Sequence, residues 1–302
     1  MISVPHFVLH RVAAVTRAVV AGITLTLLAS PCFASRMITD GQGRKVSLPD
    51  SPQRIICLTP ALVDDVYALG GGDQVVGITN YVLYPAAAVK KPSVGQPLSP
   101  SVEAILALHP DLVLATPVTN EQPVLDVLER NHIAVVMVDP RGLQGILESI
   151  TLVGSAIHRQ REAQALRTSL SLRIDRVRNL SRGKQAISVF MPLSYEPVIT
   201  IGRGAFITEM IEAAGAHSVT SDIPQEWPQI SIEAVIARAP QALVLERDAH
   251  VTLATLAHKA GWSGIPAVQN RRAYFVDQRF SLPSPVAIDA LEDLARQIHP
   301  KV

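Results

Sequence analysis

The chain has 302 residues, of which 48% are hydrophobic and 18% are charged, with 27 Lys and Arg against 26 Asp and Glu. This length is enough for two domains of ordinary size. The apolar content excludes a disordered chain, and the near-neutral charge provides no field that would attract nucleic acid.

The first 34 residues differ from the rest. Arg11 and Arg17 precede an uncharged run of 12 residues, 18–29, and the small residues of "PCFAS" follow it. A membrane-spanning helix needs about 20 apolar residues, so the run is too short for one. The pattern predicts a cleaved secretory signal over residues 1–34.

Lipid attachment at Cys32 is the alternative interpretation of this segment. Pro31 argues against it, because the position before a lipidated cysteine favours Gly or Ala. Cleavage after Ala34 removes two arginines, which leaves 25 basic and 26 acidic residues and a net charge of −1. We therefore expect a soluble periplasmic monomer with no lipid anchor and no nucleic-acid partner.

One cysteine, Cys57, remains in the mature chain, so no intrachain disulfide can form. It lies in "RIICLTP", an apolar strand-like run. The pattern favours a buried small hydrophobic residue over a reactive thiol.

Short β-branched runs alternate with helical patterns in the region 35–142. Strands are predicted at 54–58, 75–79, 111–115 and 134–138, and helices at 61–70, 101–108 and 120–131. Apolar strands separated by helices indicate a parallel α/β sheet with both faces covered.

The region 143–183 is almost continuously helical in its pattern. It contains no proline between Leu143 and Leu180, and Gly154 interrupts its interior. This length exceeds that of an ordinary globular helix. The pattern therefore predicts a segment that includes one long helix connecting two lobes.

The α/β pattern begins again in the region 184–302. Strands are predicted at 186–190, 197–201, 242–246 and 273–277, and helices at 205–214, 231–238 and 285–298. The predicted fold is α/β, with two Rossmann-like lobes of parallel sheet joined by a single long helix.

Each lobe contains the same helix-to-strand junction, "SVEAILALHPDLVL" at 101–114 and "SIEAVIARAPQALVL" at 231–245, at a constant offset of 130 residues. Ser101 and Ser231 are predicted N-caps. Glu103 and Glu233 then lie in the first helical turn, where the helix dipole favours an anion. Position alone does not decide between this capping role and a functional one.

The sequence offers no catalytic motif. It lacks a Gly-x-Ser-x-Gly elbow and a His-Glu-x-x-His pair, and its mature histidines are not spaced as metal ligands. "GRGAFI" at 202–207 lies between a strand and a helix, but Ile207 occupies the position where a dinucleotide fingerprint needs Gly or Ala. A tight turn is the favoured interpretation of this motif, and we expect neither a catalytic nor a metal site.

Two aromatic residues stand at the predicted lobe edges. Tyr84 lies in "YVLYP" and Trp227 in "EWPQIS", each shortly before a repeated junction. Either side chain can pack a loop or contact a ligand in a cleft between the lobes.

Four stretches together resemble the periplasmic binding proteins of ABC importers for cobalamin, ferric siderophores and haem. They are "RIICLTPALVDDVYALGGGDQVVGITNYVLYP", "SVEAILALHPDLVLA", "EWPQISIEAVIARAPQALVL" and "PAVQNRRAYFVD". The resemblance runs from about Ile38 to the C-terminus, and the "YP" and "WPQ" stretches are most similar to the cobalamin-binding branch. It implies the class III architecture, with a cleft that holds a metal chelate as cargo and no resident cofactor. It also implies that Glu103 and Glu233 dock into arginine pockets of the two permease subunits.

The resemblance also implies a set of ligand contacts. In the cobalamin branch the aromatic residues matching Tyr84 and Trp227 touch the ligand, Thr116 stands where the branch has a tryptophan, and Asp64 where relatives more often carry Glu. Asp277 and Arg279 match the branch loosely because the loop length differs. The expected ligand-binding residues are Tyr84, Trp227, Tyr81, Asp64, Thr116, Arg203, Phe206, Asp277 and Arg279.

The expected function is capture of a metal-organic chelate and delivery to an ABC permease and its ATPase. A corrinoid is the first choice and a ferric siderophore the second. Haem, with Tyr81 or Tyr84 as a phenolate ligand to iron, is the third. The rival classes are a nucleotide-dependent enzyme on a two-lobed scaffold and a binding protein for free zinc or manganese.

Overall fold

The computed structural model describes residues 35–119, 122–247 and 251–300. The predicted signal segment, residues 1–34, lies outside the described residues.

The first lobe is built around a parallel sheet. Its described strands are β1 (Ser35–Thr39), β2 (Lys45–Pro49), β3 (Ile55–Cys57), β4 (Val75–Ile78), β5 (Gly95–Gln96), β6 (Ser99–Pro100), β7 (Leu112–Ala115) and β8 (Ala134–Met137). Strands β4, β3, β7 and β8 are parallel neighbours in that order, whereas β1–β2 and β5–β6 form antiparallel hairpins. The helices are α1 (Pro60–Ala68), α2 (Ala86–Val89), α3 (Val102–Ala107) and α4 (Gln122–Arg130).

The hairpin β1–β2 was not among the predicted elements. Most of its residues are exposed or partly exposed and Leu48 is the buried one, so the hairpin lacks the apolar run that marks a buried strand. The buried carboxylate of Asp40 holds the hairpin against the sheet, because it accepts hydrogen bonds from the Arg44 and Met137 amides.

Two helices occupy the predicted helical segment. They are α5 (Gly142–Ala156) and α6 (Gln160–Ser181), and α6 is the 22-residue connection between the lobes. The break lies at His158, whose φ of +61° is left-handed and ends the helical path. Gly154, the predicted interruption, is inside α5, where an added Cβ would collide with Ala163 of α6. The glycine therefore permits close packing of the two helices.

The second lobe repeats the plan of the first. Its described strands are β9 (Ile187–Phe190), β10 (Pro192–Tyr195), β11 (Val198–Thr200), β12 (Ala216–Ser218), β13 (Ala242–Glu246) and β14 (Ala273–Val276). Its helices are α7 (Phe206–Ala213), α8 (Ile232–Arg238), α9 (Leu253–Ala257), α10 (Pro266–Gln269) and α11 (Pro285–Ile298). The parallel sheet has the order β12-β9-β13-β14. Counted along the chain, the four parallel strands of each lobe have the same spatial order, second-first-third-fourth. The predicted strand 197–201 corresponds to β11, which pairs antiparallel with β10 outside this sheet.

One hydrophobic core runs through both lobes. Alternate residues of each sheet face it: Cys57 and Leu114 in the first lobe, and Val189 and Val244 in the second. The opposite faces bury two smaller clusters, one in each lobe. Because α5 and α6 contribute to the shared core, the lobes are packed together as well as connected.

Each lobe also has an acidic side chain that binds the N-terminus of a helix outside that lobe. The Glu209 Oε2 of α7 accepts a hydrogen bond of 2.7 Å from the Leu143 amide at the start of α5. The Asp64 Oδ2 of α1 accepts one of 3.2 Å from the Val286 amide at the start of α11. A carboxylate at a helix N-terminus satisfies an amide that has no partner within the helix and interacts favourably with the helix dipole.

The Asp64 contact predicts a specific pH dependence of stability. Burial raises the pKa of Asp64, while the hydrogen bond from the Val286 amide opposes that shift. The folded protein therefore holds this proton more tightly than the unfolded chain, and the free energy of unfolding falls as the pH rises from about 3.9 through the raised pKa. Asp64→Asn keeps an oxygen acceptor but does not titrate. The free energy of unfolding of this variant, measured by urea unfolding at several pH values, should therefore fall less steeply with pH than that of wild type.

Asp64→Ala provides the comparison, because it removes the acceptor. We expect it to be about 1 kcal/mol less stable than Asp64→Asn at every pH. The neighbouring Asp65, whose pKa burial also raises, titrates in all three proteins. An unchanged pH slope in Asp64→Asn would show that Asp64 does not contribute to it.

Candidate functional site

A cleft of about 580 Å³ lies between the two lobes. The first lobe contributes Thr59, Pro60, Ala61, Pro97, Thr116, Pro117, Val118, Asp139, Pro140, Arg141 and Gly142 to its lining. The second contributes Gly204, Ala205, Phe206, Glu226, Trp227, Ser281, Leu282 and Pro283. Three of the first-lobe segments directly follow β3, β7 and β8, which places the cleft beyond the carboxyl ends of the parallel strands.

The lining is mostly apolar and its backbone is constrained. Five of its residues are prolines, namely Pro60, Pro97, Pro117, Pro140 and Pro283. Proline fixes φ and so limits how far each loop can move. The cleft is therefore shaped before a ligand arrives, which lowers the entropic cost of binding.

Trp227 forms the aromatic wall of the second lobe and is 48% exposed. Its loop is held against the end of β11 by three backbone hydrogen bonds. The Gly202 amide donates to the Glu226 carbonyl at 2.9 Å, the Thr200 amide to Pro228 at 3.0 Å, and the Arg203 amide to Ile223 at 2.8 Å. Trp227 is thus carried by a fixed loop.

Gly202 permits this arrangement because it has no side chain. A Cβ at Gly202 would overlap the Gln225 carbonyl oxygen and lie 2.7 Å from that of Ile223. Both neighbours are backbone atoms, so they cannot yield as the end of a side chain would. The turn in "GRGAFI" therefore contacts polypeptide at the point where a dinucleotide motif would contact phosphate.

Buried hydroxyls fix the same turn from below. The Thr208 Oγ1 donates to the Gly202 carbonyl at 2.6 Å, and the Thr220 Oγ1 donates to the Ile201 carbonyl at 2.7 Å. Both threonines are at least 95% buried. Since buried hydrogen bonds are costly to break, they hold the turn in one conformation.

Three of the nine predicted ligand-binding residues line the cleft. They are Thr116, which follows β7, Phe206, which begins α7, and Trp227. The six others do not belong to the lining of the described part of the chain, and as ligand contacts they stay predictions.

The predicted arginines are engaged by the protein itself. Arg203 donates to the carbonyls of Ser221 and Asp222, so it secures the start of the Trp227 loop. Arg279 forms a bidentate pair with Asp277 at 2.6 and 2.8 Å. It also reaches Asp293 of α11 at 3.2 Å. These contacts account for the pKa of Asp277, which the Arg279 guanidinium holds below the ordinary carboxyl value.

The remaining predicted residues lie beside the cleft. Asp64 is 7% exposed and contacts the N-terminus of α11. Tyr81 is 69% exposed and Tyr84 half-buried, both in the loop that follows β4. That loop adjoins the hairpin that carries the cleft residue Pro97, because the Asn80 amide donates to the Gly95 carbonyl.

The structure adds charged residues that the sequence did not single out. Asp139 and Arg141 follow β8 and form an ion pair of 2.9 Å, and Glu226 directly precedes Trp227. The sequence could have indicated them, because Asp139 and Arg141 follow a predicted strand and Glu226 is next to a candidate aromatic residue. The segment Ser281–Pro283 had no such signal, because its place depends on the packing of α11.

Within the described residues, no three His, Cys, Asp or Glu side chains converge as a metal site would require. Cys57 is fully buried in β3, which raises the pKa of its thiol. The polar groups at the cleft are hydroxyls, one ion pair and one carboxylate, a set suited to hydrogen bonding with a large, mostly apolar ligand.

The two repeated junctions have matching geometry. The Ser101 and Ser231 hydroxyls each accept a hydrogen bond of 3.2 Å, from the Ala104 and Ala234 amides respectively. Glu103 and Glu233 are both exposed. The Glu103 backbone amide and the Ser101 hydroxyl lower the pKa of the Glu103 carboxyl.

The helices of both junctions also end alike. His109 and Ala239, again 130 residues apart, each have a φ of +45°. The buried residues Pro110 and Pro240 follow them. The junctions are therefore one structural position repeated in each lobe.

Comparisons with known proteins agree with this geometry. Residues 55–280 match a family model described as periplasmic binding protein. An uncharacterised ABC transporter substrate-binding lipoprotein of Bacillus subtilis, YvrC, is 30% identical over 87% of this chain and 85% of its own length. A vitamin B12-binding protein of Pectobacterium carotovorum is 32% identical over 64% of this chain and 71% of its own. The solved vitamin B12-binding protein of Vibrio cholerae has a TM-score of 0.72 and 26% identity, covering 83% of this chain and 99% of its own.

None of the helices among the described residues combines the length and the apolar character needed to cross a bilayer.

Gly202→Ala should displace the Trp227 loop. The added methyl overlaps backbone oxygens, so we expect the loop to detach from β11 and Trp227 to become more exposed. Acrylamide quenching of tryptophan fluorescence measures this directly, because the second tryptophan, Trp262, is 1% exposed and contributes a protected background.

Gly264→Ala is the matched control in the same lobe. Its added Cβ meets the end of the Ile236 side chain at 2.9 Å, which can shift. It should leave acrylamide quenching at the wild-type level. Equal quenching in wild type and Gly202→Ala would show that the turn does not position the loop.

Proposed function

The chain belongs to the periplasmic binding protein family, and from this premise we propose that it binds a corrinoid in the inter-lobe cleft and delivers it to an ABC permease. The observation that supports this proposal most strongly is the cleft itself, which is lined by five prolines and has Trp227 and Phe206 as its aromatic surfaces. We propose binding and transport as its whole activity, with no enzymatic step and no resident cofactor. Relatives named for vitamin B12 support the choice of cargo.

The chemistry of the lining supports a corrinoid over haem. Tyrosine and histidine, which ligate haem iron in proteins, are missing from the lining among the described residues. Arg141 is its one cation and is paired with Asp139, whereas haem carries two propionates. A corrinoid presents amides that can use the hydroxyls and carboxylates present.

An uncharged ferric siderophore is the second candidate. The same scarcity of cations in the lining that disfavours haem also disfavours an anionic catecholate, but it does not disfavour a neutral hydroxamate. A two-lobed enzyme and a binding protein for free metal are the rivals from other classes.

A thermal-shift and titration panel tests the cargo. The mature chain, residues 35–302, would be titrated with cyanocobalamin, ferric siderophores, haemin, zinc, manganese and NAD. We expect cyanocobalamin to raise the melting temperature and Trp227→Ala to weaken its binding about tenfold, because an aromatic contact contributes on the order of 1 kcal/mol beyond its buried area.

Leu172→Ala, which removes an exposed apolar side chain from α6, is the control and should bind as wild type does. A response to a siderophore or haemin alone would change the cargo and leave the transporter class. A response to a bare metal alone would contradict the proposed chelate cargo, and a response to NAD alone would contradict the transport function.

We also propose that Glu103 and Glu233 dock on the permease. Both are exposed first-turn acids on matched helices, and hydrogen bonds from its own backbone and from Ser101 keep Glu103 ionised. Pairs between carboxylates and arginines would fix the orientation of the complex and weaken with salt. We place the working protein in the periplasm as a monomer with no lipid anchor, although the B. subtilis relative is named a lipoprotein.

Reversing both charges, in Glu103→Arg with Glu233→Arg, should reduce cyanocobalamin uptake to background, because arginine would face arginine at each contact. Uptake would be measured in cells that contain the cognate permease, and ligand affinity by titration of the purified variant. Asp175→Arg, a reversal at an exposed position on α6, is the control. Normal uptake by the double variant would return both glutamates to a capping role.

A further inference from the structure

The charges that line the cleft do not balance. Asp139 and Arg141 neutralise each other as an ion pair. Glu226 is exposed, and its carboxylate has no hydrogen-bond or ion-pair partner among the described residues. The lining therefore carries one uncompensated negative charge.

Among the described residues, the nearby arginines form no ion pair with Glu226. Arg203, which belongs to the turn beneath the same loop, donates to two backbone carbonyls, and its charge acts on Asp222, whose pKa Arg238 and Arg203 both lower. Arg279 is held by Asp277 and Asp293. Neither arginine lines the cleft as the described residues define it.

The position of Glu226 is fixed by the glycine turn. Its carbonyl accepts the Gly202 amide, and its side chain crosses Gly204, where an added Cβ would lie 2.8 Å from the Glu226 Cγ. The carboxylate therefore stands next to Trp227 at the surface that a ligand would contact.

We propose that Glu226 is a specificity-determining residue that selects the charge class of the ligand. It disfavours chelates with peripheral anionic groups, such as carboxylates or ionised catechols, and accepts hydrogen bonds from ligands whose periphery carries N–H donors, such as primary amides. A repulsive charge can provide specificity because it penalises the wrong ligand more than the right one. The inference rests on the proposed function for the identity of the cleft as the binding site.

The first test needs no ligand. Iodide, caesium and acrylamide quench exposed tryptophan, and Trp227 is the exposed tryptophan beside Glu226, whereas Trp262 is buried. Glu226→Gln keeps the size of the side chain and removes its charge. We expect it to increase iodide quenching about twofold at low ionic strength, decrease caesium quenching and leave acrylamide quenching unchanged, because only the ions respond to the local field. Asp175→Asn, which removes one charge from the distant helix α6, should change none of the three.

The second test compares chelates of different charge. Wild type, Glu226→Gln and Glu226→Lys would be titrated with cyanocobalamin, a neutral ferric trihydroxamate, a trianionic ferric tris-catecholate and haemin. We expect Glu226→Gln to strengthen binding of the two anionic chelates up to about fivefold, the scale of an exposed charge pair, and Glu226→Lys to strengthen it further. The gain should disappear in high salt, and the trihydroxamate affinity should stay constant.

The two proposals fail in different ways. If no chelate binds but the iodide and caesium effects occur, the proposed cargo is wrong and the electrostatic role of Glu226 stands. If cyanocobalamin binds while Glu226→Gln alters neither ion quenching nor the ratio of anionic to neutral affinities, the inference about Glu226 is overturned.

Discussion

Two carboxylates that cross between the lobes determine how the rest of the molecule is arranged. Glu209 binds the first turn of α5, and Asp64 binds the first turn of α11. Each acid lies on the first helix after the first parallel strand of its lobe, namely β3 or β9. Each contacted helix is the one that follows the last parallel strand, β8 or β14, so the two contacts occupy equivalent positions in the two lobes. The N-termini of α1, α5 and α7 border the cleft, and the segment before α11 completes it. The contacts that fix the lobes to each other therefore also fix the cleft, and the shared core beneath α5 and α6 opposes any hinge at α6.

The proposed docking of Glu103 and Glu233 requires a fixed arrangement of the lobes. Ser101 and Ser231 cap their helices with equal hydrogen-bond lengths, and the helices end in the same left-handed conformation. Stability alone would require a cap in each helix, but it would not require an exposed acid at the same place in both. If the lobes moved freely, the distance between Glu103 and Glu233 would vary, and a two-fold partner could not engage both at once. Lobe packing makes simultaneous contact geometrically possible.

The sequence predicts those strands and helices whose buried residues form a recognisable apolar pattern within the element itself. The paired sheets and the closing helix, predicted at 285–298 and found as α11, have apolar periodicity that a single strand or helix reveals. The break at His158 was not predictable, because a left-handed histidine depends on the packing of α5 against α6. Among the site residues, Trp227 and Phe206 lie at the cleft, whereas Arg203 and Arg279 have partners in the protein. A long cationic side chain can reach several acids and carbonyls, so its partner is decided by tertiary structure.

The partial exposure of the Trp227 side chain has a free-energy cost. A half-exposed indole in a fixed loop leaves apolar surface in water, and the glycine turn and buried threonines prevent the loop from collapsing to cover it. On the proposed function, a ligand that covers the ring would remove that apolar surface from water without first having to order the loop. The same rigidity would make the cleft intolerant of a ligand with the wrong outline, because the prolines and the backbone turn that carries Glu226 are held in place. On the proposed function, affinity and selectivity therefore share one physical source, a surface whose shape the fold maintains.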